Sequence, residues 1–540
     1  MKDISSTGSF IKFYLNNYIY VDKTKYIRDL IKLEKVFISR PRRFGKSLTL
    51  DTIATLFETG VEPYFKGTWI YDKWTEPTYP VLRLNFLNFD KNSIEKFNNK
   101  LNSKITEFAE LNHVTSYKEK EEAEDSIDHL LEQLRLENRQ IVILIDEYDC
   151  QMTANINNEA LYKQFQEKIK SFYANLKDKL AIKFLGITGV TRLKDVEIFS
   201  IGSDINDITN DSAYSQMIGF TRDEIKKYYI DYLKFAASCE NNCNVDEVTE
   251  AQIESMLDMM AQNYDGYCFD EFYKKKVFST WSVNKFFQSV VSNKFVYFGE
   301  YWYDNGGLPS ILVNYLKTHE LNIFEYLDKD KFLKVSSDDF KNPTALTTIN
   351  QNVLMCQTGY LTLRSDLNKT STVALGIPNG EIYKALNRLL ANNIFKGNTD
   401  ITDDYGRSLL EVGTVDDIIN LFNSALNSVS YDNYPIVSES SVQNMLKLYL
   451  LGAHQKVLSE LHEAKGRADL VVNTDNRRIV FEFKYAKNET EAKSKLLDAV
   501  EQIKTRDYGN IVPKKTELLR IAAVFNADPK VRAFTEYQKV

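Results

Sequence analysis

The 540-residue sequence is poor in proline, glycine and cysteine, the residues that mark fibrous, disordered and disulfide-rich proteins. It has 10 prolines and 21 glycines, and 43% of its residues are hydrophobic, which excludes collagen-like, low-complexity and wholly disordered chains. Its five cysteines are scattered, so we expect reduced thiols and no disulfide framework. Cys239 and Cys243 have no second pair at zinc-site spacing, and the five histidines form no HExxH pattern. Zinc chemistry is therefore not expected.

Long hydrophobic runs are also missing. The longest aliphatic run, Ile141 to Ile145, is far shorter than the roughly 18 residues that a membrane-spanning helix needs. Residues 1–10 lack the basic start and apolar stretch of a secretory signal, so we expect a cytoplasmic protein without membrane contact. A net charge of -7 argues against a uniformly basic surface, so any contact with nucleic acid must be local.

Strand and helix patterns alternate over the first 190 residues. Short apolar strands are predicted at 35–39, 79–89, 141–145 and 181–187, with helical patterns at 47–57, 93–138 and 158–176 between them. The run at 141–145 is aliphatic throughout, as in a central parallel strand covered on both faces. The alternation predicts a doubly wound parallel sheet.

A phosphate-binding sequence follows the first strand. Gly45-Lys46-Ser47 at a strand-to-helix turn has the chemistry of a P-loop: backbone amides cradle phosphates, Lys46 neutralises the β and γ oxygens, and Ser47 ligates Mg²⁺. The general P-loop pattern has glycine where this chain has Arg40.

Two later strand ends supply the remaining groups. Asp146 offers a carboxylate for Mg²⁺, and Glu147 offers one that orients or deprotonates water. Ordinary surface acids are the alternative. After the next strand, Thr188 could sense the γ-phosphate and Arg192 could supply positive charge, with an exposed arginine and a strand-end threonine as equal alternatives.

The rest of the chain divides into two regions. Helical periodicity dominates from Thr221, where Glu224 completes a capping box, to about residue 333, and residues 357–376 predict a hairpin that could be the wing of a winged-helix subdomain. Polar residues 428–435 mark the last expected domain boundary. Beyond it, a helix, three strands and a second helix are predicted in the order αβββα.

The last region carries a second group of acids. Asp469 and the sequence Glu482-Phe483-Lys484 stand on consecutive predicted strands, and alternation places Glu482 and Lys484 on one face. Both carboxylates could hold one Mg²⁺, with Lys484 positioning the water that attacks a phosphodiester. An amphipathic edge strand is the alternative, but Glu439, Gln502 and Tyr508 on the flanking helical segments favour the nuclease interpretation.

Taken together, these motifs resemble the AAA-ATPase-like proteins with a carboxyl-terminal PD-(D/E)XK nuclease superfamily domain, which are widespread in bacteria. The resemblance covers nearly the whole chain. It rests on 20–24, 39–47, 145–149, 188–190, Tyr264-Asp265-Gly266-Tyr267, Gln357-Thr358-Gly359-Tyr360-Leu361, Ile377-Pro378-Asn379, 466–469, 482–484 and 502–504. The family also has arginine at the position of Arg40, so the resemblance implies ATP binding despite the missing glycine. Where the family commonly has Ser-Lys, this chain has Thr191-Arg192.

We therefore expect an α/β protein with three parts: a P-loop NTPase domain at 1–220, a helical and winged-helix-like region at 221–430, and a nuclease-like domain at 431–540. ATP and Mg²⁺ are the expected cofactors. Nucleic acid is the expected partner, with DNA favoured over RNA, and a homo-oligomer or a protein partner stays open. The expected function is an ATPase joined to a Mg²⁺-dependent nuclease that nucleotide state regulates. The alternative is a nucleotide-switched regulator that binds nucleic acid or protein without cutting.

The expected site residues fall into two sets. The nucleotide set is Arg43, Phe44, Gly45, Lys46, Ser47, Asp146, Glu147, Thr188 and Arg192. The nuclease set is Asp469, Glu482 and Lys484, with Glu439, Gln502 and Tyr508 as further candidates.

Overall fold

The computed structural model describes residues 1–193, 204–302, 310–316, 319, 323–343, 345–395, 404–453, 455–463, 466–506 and 516–540. The chain divides into two compact units. Unit 1 comprises Met1–His319 and Phe332–Ile382, and unit 2 comprises Glu320–Lys331 and Tyr383–Val540. The domain boundaries expected at 220 and 430 stay predictions.

Unit 1 begins with an alternation of helices and strands. The elements are α1 (Phe10–Leu15), α2 (Thr24–Leu30), β1 (Lys35–Ser39), α3 (Lys46–Thr59), β2 (Val81–Asn85), α4 (Ile94–Leu111), α5 (Ala123–Leu136), β3 (Ile141–Asp146), α6 (Cys150–Ala154), α7 (Glu159–Ala174), β4 (Ile182–Gly189) and β5 (Asn206–Asp207).

The five strands form one parallel sheet in the order β2-β3-β4-β1-β5. All residues of β1 and β3 are buried, as expected of strands covered by helices on both faces. Because parallel strands end at the same edge, the sequences that follow β1, β3 and β4 meet there. The predicted parallel sheet is confirmed.

The rest of unit 1 is mainly helical. Its elements are α8 (Arg222–Tyr228), α9 (Ile230–Asn241), α10 (Glu250–Tyr264), α11 (Thr280–Asn293), α12 (Ser310–Leu316), β6 (Leu333–Ser336), α13 (Ser337–Lys341), α14 (Gln351–Gln357), β7 (Thr362–Leu363) and β8 (Thr372–Gly376). The capping box at Thr221 and Glu224 is present. The predicted hairpin is also present, as β7 and β8, and β6 pairs with β8 in a three-stranded sheet. The winged-helix interpretation of this hairpin stays a prediction.

Helix α15 (Gly380–Ile394) runs from unit 1 into unit 2. The other elements of unit 2 are α16 (Asp404–Val412), α17 (Val415–Asn427), α18 (Glu439–Gly452), β9 (Lys456–Glu463), β10 (Gly466–Asn473), β11 (Arg477–Ala486), α19 (Glu489–Arg506), β12 (Glu517–Asn526) and β13 (Ala533–Lys539).

The strands of unit 2 form a mixed sheet in the order β13-β12-β11-β10-β9. Strands β11 and β12 are parallel, and α19 connects them and packs on the sheet through Ala499 and Ile503. The predicted αβββα order is confirmed, and β12 and β13 extend it. No helix within the described ranges has the length and apolar character needed to cross a membrane.

Candidate functional site

The three strand ends of unit 1 meet at the carboxylate of Asp146. Ser47 Oγ donates to Asp146 Oδ2 at 2.6 Å, and Thr188 Oγ1 donates to Asp146 Oδ1 at 2.6 Å. This arrangement follows from the strand order, because β4 lies between β1 and β3 and places Thr188 beside Asp146. The Ser47 hydroxyl in the first turn of α3 and the Asp146 carboxylate at the end of β3 are oxygen donors of the kind that suits Mg²⁺.

The backbone between β1 and α3 curves around the Lys46 side chain. Gly45 has φ +103° and Arg43 has φ +71°, so the turn uses left-handed conformations on both sides of Phe44. Lys46 is 4% exposed, and its Nζ donates to the carbonyl oxygens of Arg40 at 3.0 Å and Pro41 at 3.3 Å. The ammonium is thus held inside the loop, where it can face an anion.

Glu147 points toward the same loop. Its carboxylate lies 3.7 Å from Lys46 Nζ, and its backbone φ is +54°. Burial raises the pKa of Glu147, while the Lys46 ammonium opposes that rise. A carboxylate with a raised pKa beside a phosphate loop has the properties of a general base.

The next two residues of this sequence hold the neighbouring turn. Asp149 accepts hydrogen bonds from the Thr191 backbone N–H at 2.7 Å and from its hydroxyl at 2.5 Å. The Tyr148 hydroxyl donates to the Thr191 carbonyl at 3.0 Å. A Cβ on Gly189 would lie 2.4 Å from the Tyr148 ring, so the close approach requires glycine here.

A cavity of about 320 Å³ opens from the phosphate loop. Lys46, Ser47 and Glu147 line it. Its apolar lining comes from Ile19, Val21, Met217, Ile218, Phe220 and Tyr229. Charged and apolar side chains around one cavity match the phosphates and the base of a nucleotide.

The other residues expected at this site have structural contacts. The Arg43 guanidinium donates to the carbonyls of Tyr301 and Trp302 at 2.7 and 2.9 Å and lies over the Trp281 ring. Phe44 is buried against Tyr267, Phe269 and Trp302. These contacts hold the loop between β1 and α3 in place.

Arg192 is also held. Its guanidinium forms an ion pair with Asp207, and its backbone exchanges hydrogen bonds with the Gln357 side chain. The structure therefore ties Arg192 to β5 and α14.

A second group of charged residues lies in unit 2. Glu439 is in the first turn of α18, Asp469 is on β10, and Glu482 and Lys484 are on β11. One carboxylate oxygen from each of the three acids lies within 4.8 Å of the others. Strands β10 and β11 are antiparallel, and Asp469 Oδ2 accepts the backbone N–H of Phe483 at 2.9 Å, which fixes this carboxylate beside Glu482.

Lys484 completes the cluster. Its Nζ donates to Glu482 at 2.8 Å and to Glu439 at 3.2 Å. Burial raises the pKa of Glu482 to about 7, and the Asp469 carboxylate adds to the rise. For Lys484, burial lowers the pKa, but the acids outweigh it and the net shift is upward. The cluster therefore carries concentrated negative charge around one ammonium.

Gln502 and Tyr508 are the two remaining nuclease-domain candidates. Gln502 lies on α19, next to Ile503, which packs against the sheet. Tyr508 lies outside the described residues.

Two family models match the regions of the chain that contain these two groups of residues. Residues 5–199 match the family model described as predicted AAA-ATPase, and residues 437–534 match that of the PD-(D/E)XK nuclease superfamily. The chain carries an AAA-ATPase-like domain and a PD-(D/E)XK nuclease superfamily domain. All nine expected nucleotide residues lie within the first match, and Glu439, Asp469, Glu482 and Lys484 lie within the second.

Similar proteins extend over most of the chain. An uncharacterized protein in the vnfD 5' region of Azotobacter chroococcum mcd 1 is 25% identical over 531 residues, which are 95% of this chain and 94% of that protein. Among solved structures, Cdc6p from Pyrobaculum aerophilum matches 68% of this chain and 92% of its own, with 11% identity and a TM-score of 0.22. A TM-score this low does not define a shared fold.

Three sequence motifs that resemblance alone had singled out pack behind the P-loop of the AAA-ATPase-like domain. Gly266 has φ +95°, and a Cβ there would overlap the carbonyl oxygen of Pro378. A Cβ on Gly359, which has φ +89°, would lie 2.8 Å from the Trp302 ring and 2.9 Å from Pro41. The motifs at 264–267, 357–361 and 377–379 thus support the loop that holds Lys46.

The apolar lining of the cavity was missed by sequence reasoning. Its residues come from segments near 20 and 220, which are far apart in the chain, and none of them has a charged side chain. The one available signal was the resemblance motif at 20–24. In it, Asp22 accepts the backbone N–H groups of Thr24 and Trp69, and Lys23 pairs with Glu224 at 2.6 Å.

Proposed function

We propose that unit 1 binds and hydrolyses ATP with Mg²⁺. The proposal rests on one observation: Lys46, Ser47 and Glu147 line a cavity large enough for a nucleotide, and Asp146, which accepts hydrogen bonds from Ser47 and Thr188, lies next to them. Ser47 and Asp146 would hold Mg²⁺, which would neutralise charge on the β and γ phosphates. Lys46 would contact the same phosphates, Thr188 would lie next to the γ-phosphate, and Glu147 would take a proton from the attacking water.

Isothermal titration of ATP in Mg²⁺ tests the binding part. Lys46→Ala removes the ammonium that the loop holds toward the cavity and should abolish measurable binding. Lys91→Ala, a change in a loop outside the cavity, is the control. Unchanged affinity in Lys46→Ala would refute the assignment of this loop.

We also propose that unit 2 cleaves nucleic acid phosphodiesters with a divalent cation, and that nucleotide state regulates this cleavage. Two features support a cation site. The three carboxylates converge, and the buried Glu482 Oε2 has no hydrogen-bond partner among the described residues. Asp469 and Glu482, with Glu439 beside them, would hold Mg²⁺, which would activate water and stabilise charge on the phosphate.

Lys484 has a separate part in this proposal. An ammonium is not a metal ligand, and Lys484 lies on the same strand face as Glu482. It would orient the attacking water and offset the charge that develops on the phosphate.

Incubation of the full chain with single-stranded and duplex DNA and RNA tests the nuclease part. The reactions contain Mg²⁺, Mn²⁺ or a chelator, each with and without ATP. We expect metal-dependent cleavage, with DNA preferred, and a rate that changes with ATP. Binding of one substrate without cutting in any metal or nucleotide condition would favour a nucleotide-switched binding protein.

A further inference from the structure

Arg42 differs from every other arginine near the P-loop. Its half-buried side chain lines the same cavity as Lys46, Ser47 and Glu147. Within the part of the chain that the structure describes, it makes no hydrogen bond and no ion pair. A cation that lines a cavity without a fixed partner is available to an anionic ligand.

The neighbouring arginines are already engaged. The Arg40 guanidinium is 1% exposed, donates to the Ser39 and Thr209 carbonyls, and lies 4.2 Å from the centre of the Phe269 ring. Arg43 is held by the Tyr301 and Trp302 carbonyls, and Arg192 by Asp207. Each of these side chains supports the loop or its surroundings.

The cavity lining places Arg42 with the residues expected to take part in hydrolysis. Lys46 and Glu147 line the same cavity and lie 3.7 Å apart, so Arg42 shares this cavity with the carboxylate expected to face the attacking water. Lys46 Nζ donates to two loop carbonyls, whereas Arg42 keeps all five of its N–H donors.

We propose that the Arg42 guanidinium binds the terminal phosphoryl group of the nucleotide and so distinguishes a nucleoside triphosphate from a diphosphate. This inference rests on the proposed ATP site. A planar guanidinium can donate two parallel hydrogen bonds to phosphoryl oxygens. It would add positive charge in cis where charge develops during hydrolysis, the part that sequence reasoning gave to Arg192.

Calorimetric titration of the full chain with ADP and with a non-hydrolysable ATP analogue, both in Mg²⁺, tests this proposal. Arg42→Ala should weaken the analogue by about 10- to 100-fold and change ADP affinity by less than about 3-fold, because a charged hydrogen bond is lost only for the triphosphate. Arg42→Lys should recover part of the difference. Arg28→Ala, which changes an exposed arginine on α2 outside the cavity, is the matched control.

The outcomes separate this inference from the function beneath it. An equal ratio of the two affinities in Arg42→Ala and the wild type would overturn the role of Arg42 while leaving ATP binding intact. Loss of the ratio in Arg192→Ala alone would assign the role to Arg192 instead. If the wild-type chain binds neither nucleotide, the proposed ATP site fails and this inference fails with it.

Discussion

The hydrogen bond from Ser47 Oγ to Asp146 Oδ2, 2.6 Å long, joins the helix after the phosphate loop to the end of strand β3. The two residues are 99 positions apart in sequence. A cation held by this hydroxyl and this carboxylate would lie next to the phosphates that Lys46 would face. We therefore expect nucleotide binding to depend on the metal.

Asp146→Asn should weaken ATP binding in Mg²⁺ by about 10-fold or more, because the neutral amide is a poorer ligand for a hard cation. Affinity measured in a chelator should change little, which makes the same variant its own control. A loss of equal size with and without Mg²⁺ would show that Asp146 acts only through its hydrogen bonds to Ser47 and Thr188.

Glu147→Gln should slow hydrolysis by roughly 10²- to 10⁴-fold, the usual contribution of a general base. The amide keeps the shape of the side chain, so ATP affinity should stay within a few-fold of the wild-type value. Turnover assays and titrations on the same preparation check both parts. Undiminished turnover would show that Glu147 is not the general base.

Glu381 predicts a pH dependence of stability in unit 1. Its buried carboxylate accepts hydrogen bonds from the Ser282 hydroxyl at 2.7 Å and the Trp302 N–H at 2.8 Å, and burial raises its pKa to about 8. The folded state therefore holds a proton that the unfolded state has lost above about pH 4.5. Stability should fall as pH rises between these values, by up to roughly 1.4 kcal/mol per unit.

Glu381→Gln should remove this slope, because the amide keeps the shape of the side chain and does not titrate in this range. Denaturant unfolding at pH values between 5 and 8, in steps of about one unit, measures this change in stability. Glu110→Gln, a change at an exposed position of α4, should leave the slope in place. A wild-type slope that persists in Glu381→Gln would place its origin elsewhere.

Gly266→Ala should destabilise the support behind the P-loop. The new Cβ would overlap the Pro378 carbonyl, and φ is +95°. Gly67→Ala is a matched control, because φ is +85° there and nothing lies within 4 Å of the added atom. Both variants should lose about 1 kcal/mol to backbone strain, and Gly266→Ala should lose about 1–3 kcal/mol more to overpacking. Equal losses in thermal melts would contradict the packing argument.

Secondary structure was predicted best where the local pattern of apolar residues matches the burial that the structure shows. Strand β1 has the predicted bounds, and the aliphatic run of β3 is buried as expected. The last two strands were missed, because Glu517–Asn526 is buried for most of its length and has no regular alternation of apolar and polar residues. Its pairing with β11 also spans 40 residues and a helix, which no local pattern records.

The same distinction applies to the sites. Charged residues at strand ends could be named in advance because their chemistry is specific. Side-chain contacts could not be predicted: Arg42 and Arg43 are adjacent in sequence and both line the cavity, yet only Arg43 donates to the carbonyls of Tyr301 and Trp302. That difference depends on Trp281, Tyr301 and Trp302, which lie more than 200 residues away in the chain.

The convergence of Glu439, Asp469 and Glu482 around Lys484 is tested most directly by measuring Mn²⁺ binding and cleavage on the same variants. Asp469→Asn should lose both, because the carboxylate is a metal ligand. Lys484→Ala should keep most of its Mn²⁺ affinity and lose cleavage by at least about 100-fold, because its ammonium acts on water and phosphate. Circular dichroism confirms that each variant is folded. Cleavage that survives in both variants would contradict a nuclease centre at this cluster.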